Sequence, residues 1–125
     1  MKAAIAPGFS ELIIIVNPAE KVTREGLLNI HMPWLFAPWP EARQKGVIEV
    51  EVEGETLRSL LITLAEAYKK AGVDFVPINP RTNDMDEDYD VFINGKNYIT
   101  IPGRLDTKLE DGDKVKLKIL WRWDG

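Results

Sequence analysis

Between residues 47 and 68 the hydrophobic period changes from two to about 3.6, and that change fixes the middle of the fold. Ile48, Val50 and Val52 alternate with Glu49, Glu51 and Glu53, the pattern of a half-buried strand. Gly54-Glu55-Thr56 then supplies a turn and a helix N-cap. Leu57, Leu60, Leu61, Leu64 and Tyr68 follow at the spacing of one helical face, up to a stop at Gly72. Glu55 lies at the positive end of this helix and Lys69 and Lys70 in its last turn, as the helix dipole favours. A helix with one apolar face that follows directly on an amphipathic strand must lay its leucines on a sheet. The expected class is therefore α+β.

Downstream, residues 73–90 lose any period. Pro77 and Pro80 precede an acidic stretch from Asp84 to Asp90, which reads as a long exposed loop. Tyr89 to Ile93 runs into Asn94-Gly95, a strong hairpin signal because a type I′ turn needs positive φ at both central positions. A returning strand is expected through Tyr98 to Ile101. Leu105 to Leu109 is a connector, and Asp111-Gly112-Asp113 is the turn that launches the last strand. In that strand Val115, Leu117, Ile119, Trp121 and Trp123 share one face, while Lys114, Lys116, Lys118 and Arg122 point the other way. Upstream, two apolar segments compete to open the sheet: Leu12–Val16, and Leu27–Phe36 with Pro33 inside it. Proline removes a ladder donor, which favours the first.

The 125 residues fit one domain, and 45% hydrophobic with 29% charged residues is the balance of a folded protein. The absence of cysteine excludes a disulfide scaffold, a thiolate nucleophile and a cysteine-ligated metal. The stretch Met1 to Gly8 is too short for a signal-peptide core, and Leu12–Val16 is too short to span a bilayer. The chain is read as soluble and cytoplasmic, with no membrane partner. Its formal charge is −4, and no Lys/Arg cluster reads as a stripe along a predicted face. Nucleic acid is not expected as a partner. An acidic surface suits a basic protein instead.

Candidate chemistry is sparse. Asp84, Asp86, Asp88 and Asp90 invite a calcium reading, but Tyr89 and Gly95 stand where an EF-hand loop needs Gly and Glu. The stretch reads as a solvated acidic loop or a docking surface for a basic partner. His31 is the only histidine, and nothing places Ser10 or Ser59 beside it. No metal site and no catalytic site are expected. Trp34, Phe36 and Trp39, punctuated by Pro33, Pro38 and Pro40, are either interface anchors or core. Asn94-Gly95 and Asp111-Gly112 are turn residues, since no glycine-rich stretch leads into the helix as a phosphate loop would.

Val91-Phe92-Ile93-Asn94-Gly95-Lys96, followed by Leu105-Asp106-Thr107-Lys108-Leu109-Glu110-Asp111-Gly112-Asp113-Lys114-Val115, resembles the sulfur-carrier family of molybdopterin and thiamin biosynthesis, the MoaD/ThiS group. Gly54-Glu55-Thr56-Leu57 and Leu35-Phe36-Ala37-Pro38 are similar to landmarks of the same family. The resemblance covers most of residues 28–125. It implies a ubiquitin-like β-grasp, with a mixed sheet packed on one main helix and an opening strand near Ile30–Phe36. Residues 1–27 are then an N-terminal extension, with 11–16 as an added strand or partner-binding edge.

The resemblance also implies a role. A partner enzyme adenylates the carboxylate of a C-terminal glycine with ATP, and sulfur replaces the adenylate. Gly125 would be that terminus, with Asp124 beside it, and Trp34, Phe36, Trp39, Trp121 and Trp123 the partner-binding residues. No cofactor is bound by the chain itself; ATP is used by the activating partner. The family ends in Gly-Gly, whereas this chain ends in Trp123-Asp124-Gly125, which sets a negative charge next to the reacting carboxylate. The alternative is a non-catalytic β-grasp subunit or adaptor of a larger enzyme complex.

Overall fold

The helix forms where the leucine spacing puts it. In the computed structural model, which describes residues 1–7, 10–19, 37–41 and 46–120, α1 spans Leu57–Lys70. Thr56 is its N-cap, with extended backbone and a hydroxyl that accepts the Ser59 N–H at 3.1 Å. At the other end the Ala71 and Gly72 N–H groups donate back to Ala67 and Lys69, and Gly72 takes a left-handed φ of 77°. Leu57, Leu60, Leu61, Leu64 and Tyr68 are wholly buried. Each leucine contributes about 1.5–3 kcal/mol before conformational entropy is subtracted.

The strands are β1 Lys2–Pro7, β2 Glu11–Val16, β3 Ile48–Glu51, β4 Ile78–Asn79, β5 Asp84–Met85, β6 Tyr89–Ile93, β7 Lys96–Asn97 and β8 Lys114–Ile119. Six of them form one sheet in the order β3-β1-β2-β8-β6-β7, and β4 and β5 pair separately. Alternation decides which side chains turn inward. Ala3 and Ile5 of β1, Leu12, Ile14 and Val16 of β2, Val91 and Ile93 of β6, and Val115, Leu117 and Ile119 of β8 join the α1 leucines in one core cluster. One main helix laid on a sheet whose last strand runs through its middle agrees in those two respects with the β-grasp expected from the motifs.

The sheet departs from expectation in direction. Every ladder among the described residues is antiparallel, where a mixed sheet was expected. The cause is β2, which enters as half of a tight hairpin with β1 and lies antiparallel beside β8. The run Leu12–Val16 is therefore an inner strand bonded on both sides, and it offers no free edge. Ile30–Phe36, the expected opening strand, lies outside the described residues.

Two further details differ. The return strand after Asn94-Gly95 stops at Asn97, because the Asn97 side chain accepts the Ile99 N–H at 3.1 Å and turns residues 98–100 into a 3₁₀ helix. That turn drives Tyr98 into the core. The segment 73–90 is not all exposed loop either: it holds the β4–β5 pair and the buried Phe75.

Burial raises the ionisation of the Tyr68 hydroxyl well above its ordinary value near 10. A folded pKa raised above the unfolded one gives stability that is intact below about pH 10 and lost as pH climbs toward the folded value. Urea midpoints should accordingly fall as pH rises above about 10, and Tyr68→Phe should make that fall shallower. Equal slopes for the two proteins would show that Tyr68 ionises alike in both states.

Candidate functional site

The last strand is set in place by two short turns that lie far apart in sequence. Asn94 and Gly95 take φ of 51° and 84°, the left-handed pair of a type I′ hairpin. Asn94 then grips the start of β8: its N–H donates to Lys114 O at 2.8 Å, its Nδ2 donates to Asp113 Oδ1 at 2.9 Å, and its Oδ1 accepts the Lys114 N–H at 2.9 Å. On the other side Gly112 N–H donates to Val16 O at 2.7 Å, and Asn17 Nδ2 donates to Asp111 Oδ1 at 2.8 Å. The Asp111-Gly112-Asp113 turn is thus fastened to both neighbouring hairpins, which fixes the register of β8 against β2 and β6.

Pairing persists to the far end of the strand. Lys118 stands opposite Glu11 and Asp90, and Ile119 opposite Tyr89. Beyond the ladders, Ile119 N–H donates to Ser10 O and Leu120 N–H to Asp88 O, both at 2.8 Å. The chain therefore leaves the sheet between Ser10 and Asp88, with Leu120 exposed and residues 121–125 still to come.

One rim of this exit is the acidic loop, in which Asp84, Asp86 and Asp90 accept hydrogen bonds. Asp84 Oδ1 accepts the Tyr98 hydroxyl at 3.1 Å and the Met85 N–H at 2.8 Å. Asp86 accepts the Asp88 N–H at 3.0 Å, and Asp90 accepts the Val91 N–H and the Asn97 amide at 3.0 and 3.1 Å. These are local caps of the kind Asp makes in turns. Burial raises the Tyr89 hydroxyl above its ordinary range, and nearby Asp74, Asp86 and Asp88 add to the effect against a lowering hydrogen bond from Val76. The rim is electronegative, so phosphates brought to it need cations supplied by the protein that brings them.

No protein-family model and no curated protein matches the chain. Among solved structures it is similar to the crystal structure of Mycobacterium tuberculosis CysO, an antigen, at 21% identity. That match covers 77% of this chain and 96% of the other, with a TM-score of 0.45.

Of the residues expected to bind a partner, Trp39 is described, and it is core: 8% exposed, edge-on to Tyr68 at 5.4 Å between ring centroids. The stack continues from Tyr68 to Phe75 at 4.5 Å and from Phe75 to Tyr89 at 5.3 Å. Trp39 is needed to close the end of the helix, which corrects its assignment as an interface anchor. Trp34, Phe36, Trp121, Trp123, Asp124 and Gly125 lie outside the described residues, as does His31. Among the described residues, no helix is long and apolar enough to cross a membrane.

Sequence reasoning missed two features. Phe75 carries no periodic signal, since it is an isolated aromatic between Asp74 and Val76. The second is what stands beside the outward lysines of the last strand: Lys114, Lys116 and Lys118 share the face that the alternation gives them, and the ladders set Ile15, Ile13 and Phe92 next to them. That juxtaposition depends on pairing between distant segments, which no local period reports.

Proposed function

We propose that the chain acts as a sulfur carrier, with the carboxylate of Gly125 as the group that is loaded. The observation that supports this best is the meeting of the two MoaD/ThiS-like segments at the Asn94–Asp113 and Asn94–Lys114 hydrogen bonds. Those bonds make 91–96 and 105–115 one unit, and its output is the position of the strand that leads toward Gly125.

The chemistry needs little from this chain. A carboxylate oxygen of Gly125 attacks the α-phosphorus of ATP on the activating enzyme, and pyrophosphate leaves. Hydrosulfide then adds to the carbonyl carbon of the acyl-adenylate, its proton passes to solvent, and AMP leaves. A thiocarboxylate remains. The chain contributes a glycine without Cβ, which can approach another protein's backbone closely, on a strand held rigid as far as Leu120. The partner supplies the cations and any acid or base.

With an adenylating enzyme of this class, the intact chain should support ATP–pyrophosphate exchange, and removal of Gly125 should abolish it. Asp124→Gly should raise the exchange rate about fivefold, since removing a like charge from the residue next to the reacting carboxylate relieves a repulsion on the order of 1 kcal/mol. An intact chain that supports no exchange, under conditions that load a Gly-Gly carrier, would instead be a non-catalytic subunit or adaptor.

A further inference from the structure

The chain carries a formal charge of −4, yet the outward row of its last strand is basic. Strand β8 turns Val115, Leu117 and Ile119 into the core and Lys114, Lys116 and Lys118 to the opposite face, with Lys114 and Lys118 exposed. The register sets half-buried apolar side chains beside them. Lys114 stands opposite Ile15, and Lys116 opposite both Ile13 and Phe92. Phe92, Gly95 and the three lysines line a shallow hollow of about 210 Å³. Lys118 Nζ lies 5.5 Å from the centre of the Phe92 ring.

These charges are weakly neutralised. Glu11 Oε2 reaches Lys116 Nζ at 3.9 Å, while Lys114 and Lys118 form no ion pair among the described residues. Outward lysines two residues apart repeat at about 6.6 Å. An acidic segment with carboxylates at alternate positions of an extended strand has the same repeat.

We propose that this face, made of Lys114, Lys116 and Lys118 with Ile13, Ile15 and Phe92, docks an acidic protein surface that carries an apolar anchor. The combination decides the class of partner. A nucleic acid would meet three lysines where tight phosphate tracking uses about six to ten cationic contacts. A protein can place carboxylates over the lysines and an aliphatic side chain over Ile13, Ile15 and Phe92, the mixed anatomy of a protein interface. A local positive strip on a negative protein also orients the encounter with an acidic partner. This docking does not rest on the chemistry of Gly125 and serves a carrier and an adaptor alike.

The test is a titration of the ¹⁵N-labelled full chain with a synthetic peptide rich in Asp and Glu that carries one Leu. The amide shifts should map to residues 13, 15, 92 and 114–118, and binding should weaken as salt rises. The double change Lys114→Glu/Lys118→Glu should weaken it at least about tenfold, and Lys114→Gln/Lys118→Gln by less. Lys69→Glu/Lys70→Glu, at the exposed end of the helix, should leave it unchanged. All three variants alter exposed side chains, and an unchanged amide spectrum verifies their fold. Shifts that map elsewhere, absence of binding, or equal binding of a Lys-rich peptide would overturn the proposal. So would tighter binding of a single-stranded RNA oligonucleotide or of phosphatidylserine vesicles to the same lysines.

Discussion

A chain lacking residues 1–16 should show no cooperative unfolding transition. β1 and β2 stand between β3 and β8, so the deletion strips β3 of its partner and exposes a whole edge of β8. It also removes Ala3, Ile5, Leu12, Ile14 and Val16, all wholly buried. The four larger side chains alone contribute about 1.5–3 kcal/mol each, together comparable to the roughly 5–15 kcal/mol by which a domain is usually stable. The backbone loses pairing as well. Val16 N–H no longer reaches Asp113 O, and Gly112 N–H no longer finds Val16 O, so the turn that starts β8 is released on one side. Far-UV circular dichroism with thermal melting reads the result. A truncated chain that melts cooperatively within about 5 °C of the intact one would contradict the strand order, since a shift that small corresponds to about 1 kcal/mol.

The second large effect is a contrast between neighbours on the helix. Leu61 is wholly buried, and Ile62, one residue on, is 45% exposed. Leu61→Ala should cost about 2–5 kcal/mol, because transfer free energy is lost and the core around it cannot fully close the cavity. Ile62→Ala should cost less than about 1 kcal/mol, since half its side chain is already in water. Urea unfolding measures both. Similar costs for the two positions would mean that the helix presents a different face to the sheet, whatever the spacing of its leucines.

Local signals in the sequence matched local structure closely. The Leu57–Tyr68 spacing gave one helix with Thr56 as its cap. Asn94-Gly95 and Asp111-Gly112-Asp113 became turns with the left-handed φ values that such residues permit. Pairings between distant segments were harder to read. β1 is Lys-Ala-Ala-Ile-Ala-Pro, in which three alanines and a proline have low strand propensity and no alternation. Its place in the sheet comes from its partners, β2 and β3, and not from its own sequence. The residues of β2 were legible as a strand because Ile13, Ile14, Ile15 and Val16 are β-branched. That it would sit antiparallel beside β8 depended on a hairpin whose first strand was invisible.

The site was legible in the same uneven way. The motif residues around Asn94 and Asp113 could be picked out because turn chemistry restricts their identity. What they do, which is to clasp the start of β8 together, needs a contact across nineteen positions of the chain. The acidic stretch looked like solvated charge, yet Asp84, Asp86 and Asp90 cap backbone and side-chain donors, because short carboxylates in turns find N–H groups nearby. Arg58 shows the same limit. It lies on the polar side of the helix and holds both Asp106 at 2.9 Å and the Asn83 carbonyl at 2.9 Å, joining two segments that no sequence period relates. Its guanidinium lowers the exposed Asp106 carboxyl below the ordinary range, chiefly through the hydrogen bond.

The central claim is that the carboxylate of Gly125 accepts sulfur, and intact mass spectrometry tests it most directly. The full chain is incubated with ATP, an adenylating enzyme of the sulfur-carrier class and a sulfide source. The account predicts a product heavier by the difference between one sulfur and one oxygen atom, with the change confined to the C-terminal peptide. A chain that keeps its original mass while a Gly-Gly carrier in the same mixture gains sulfur would contradict it.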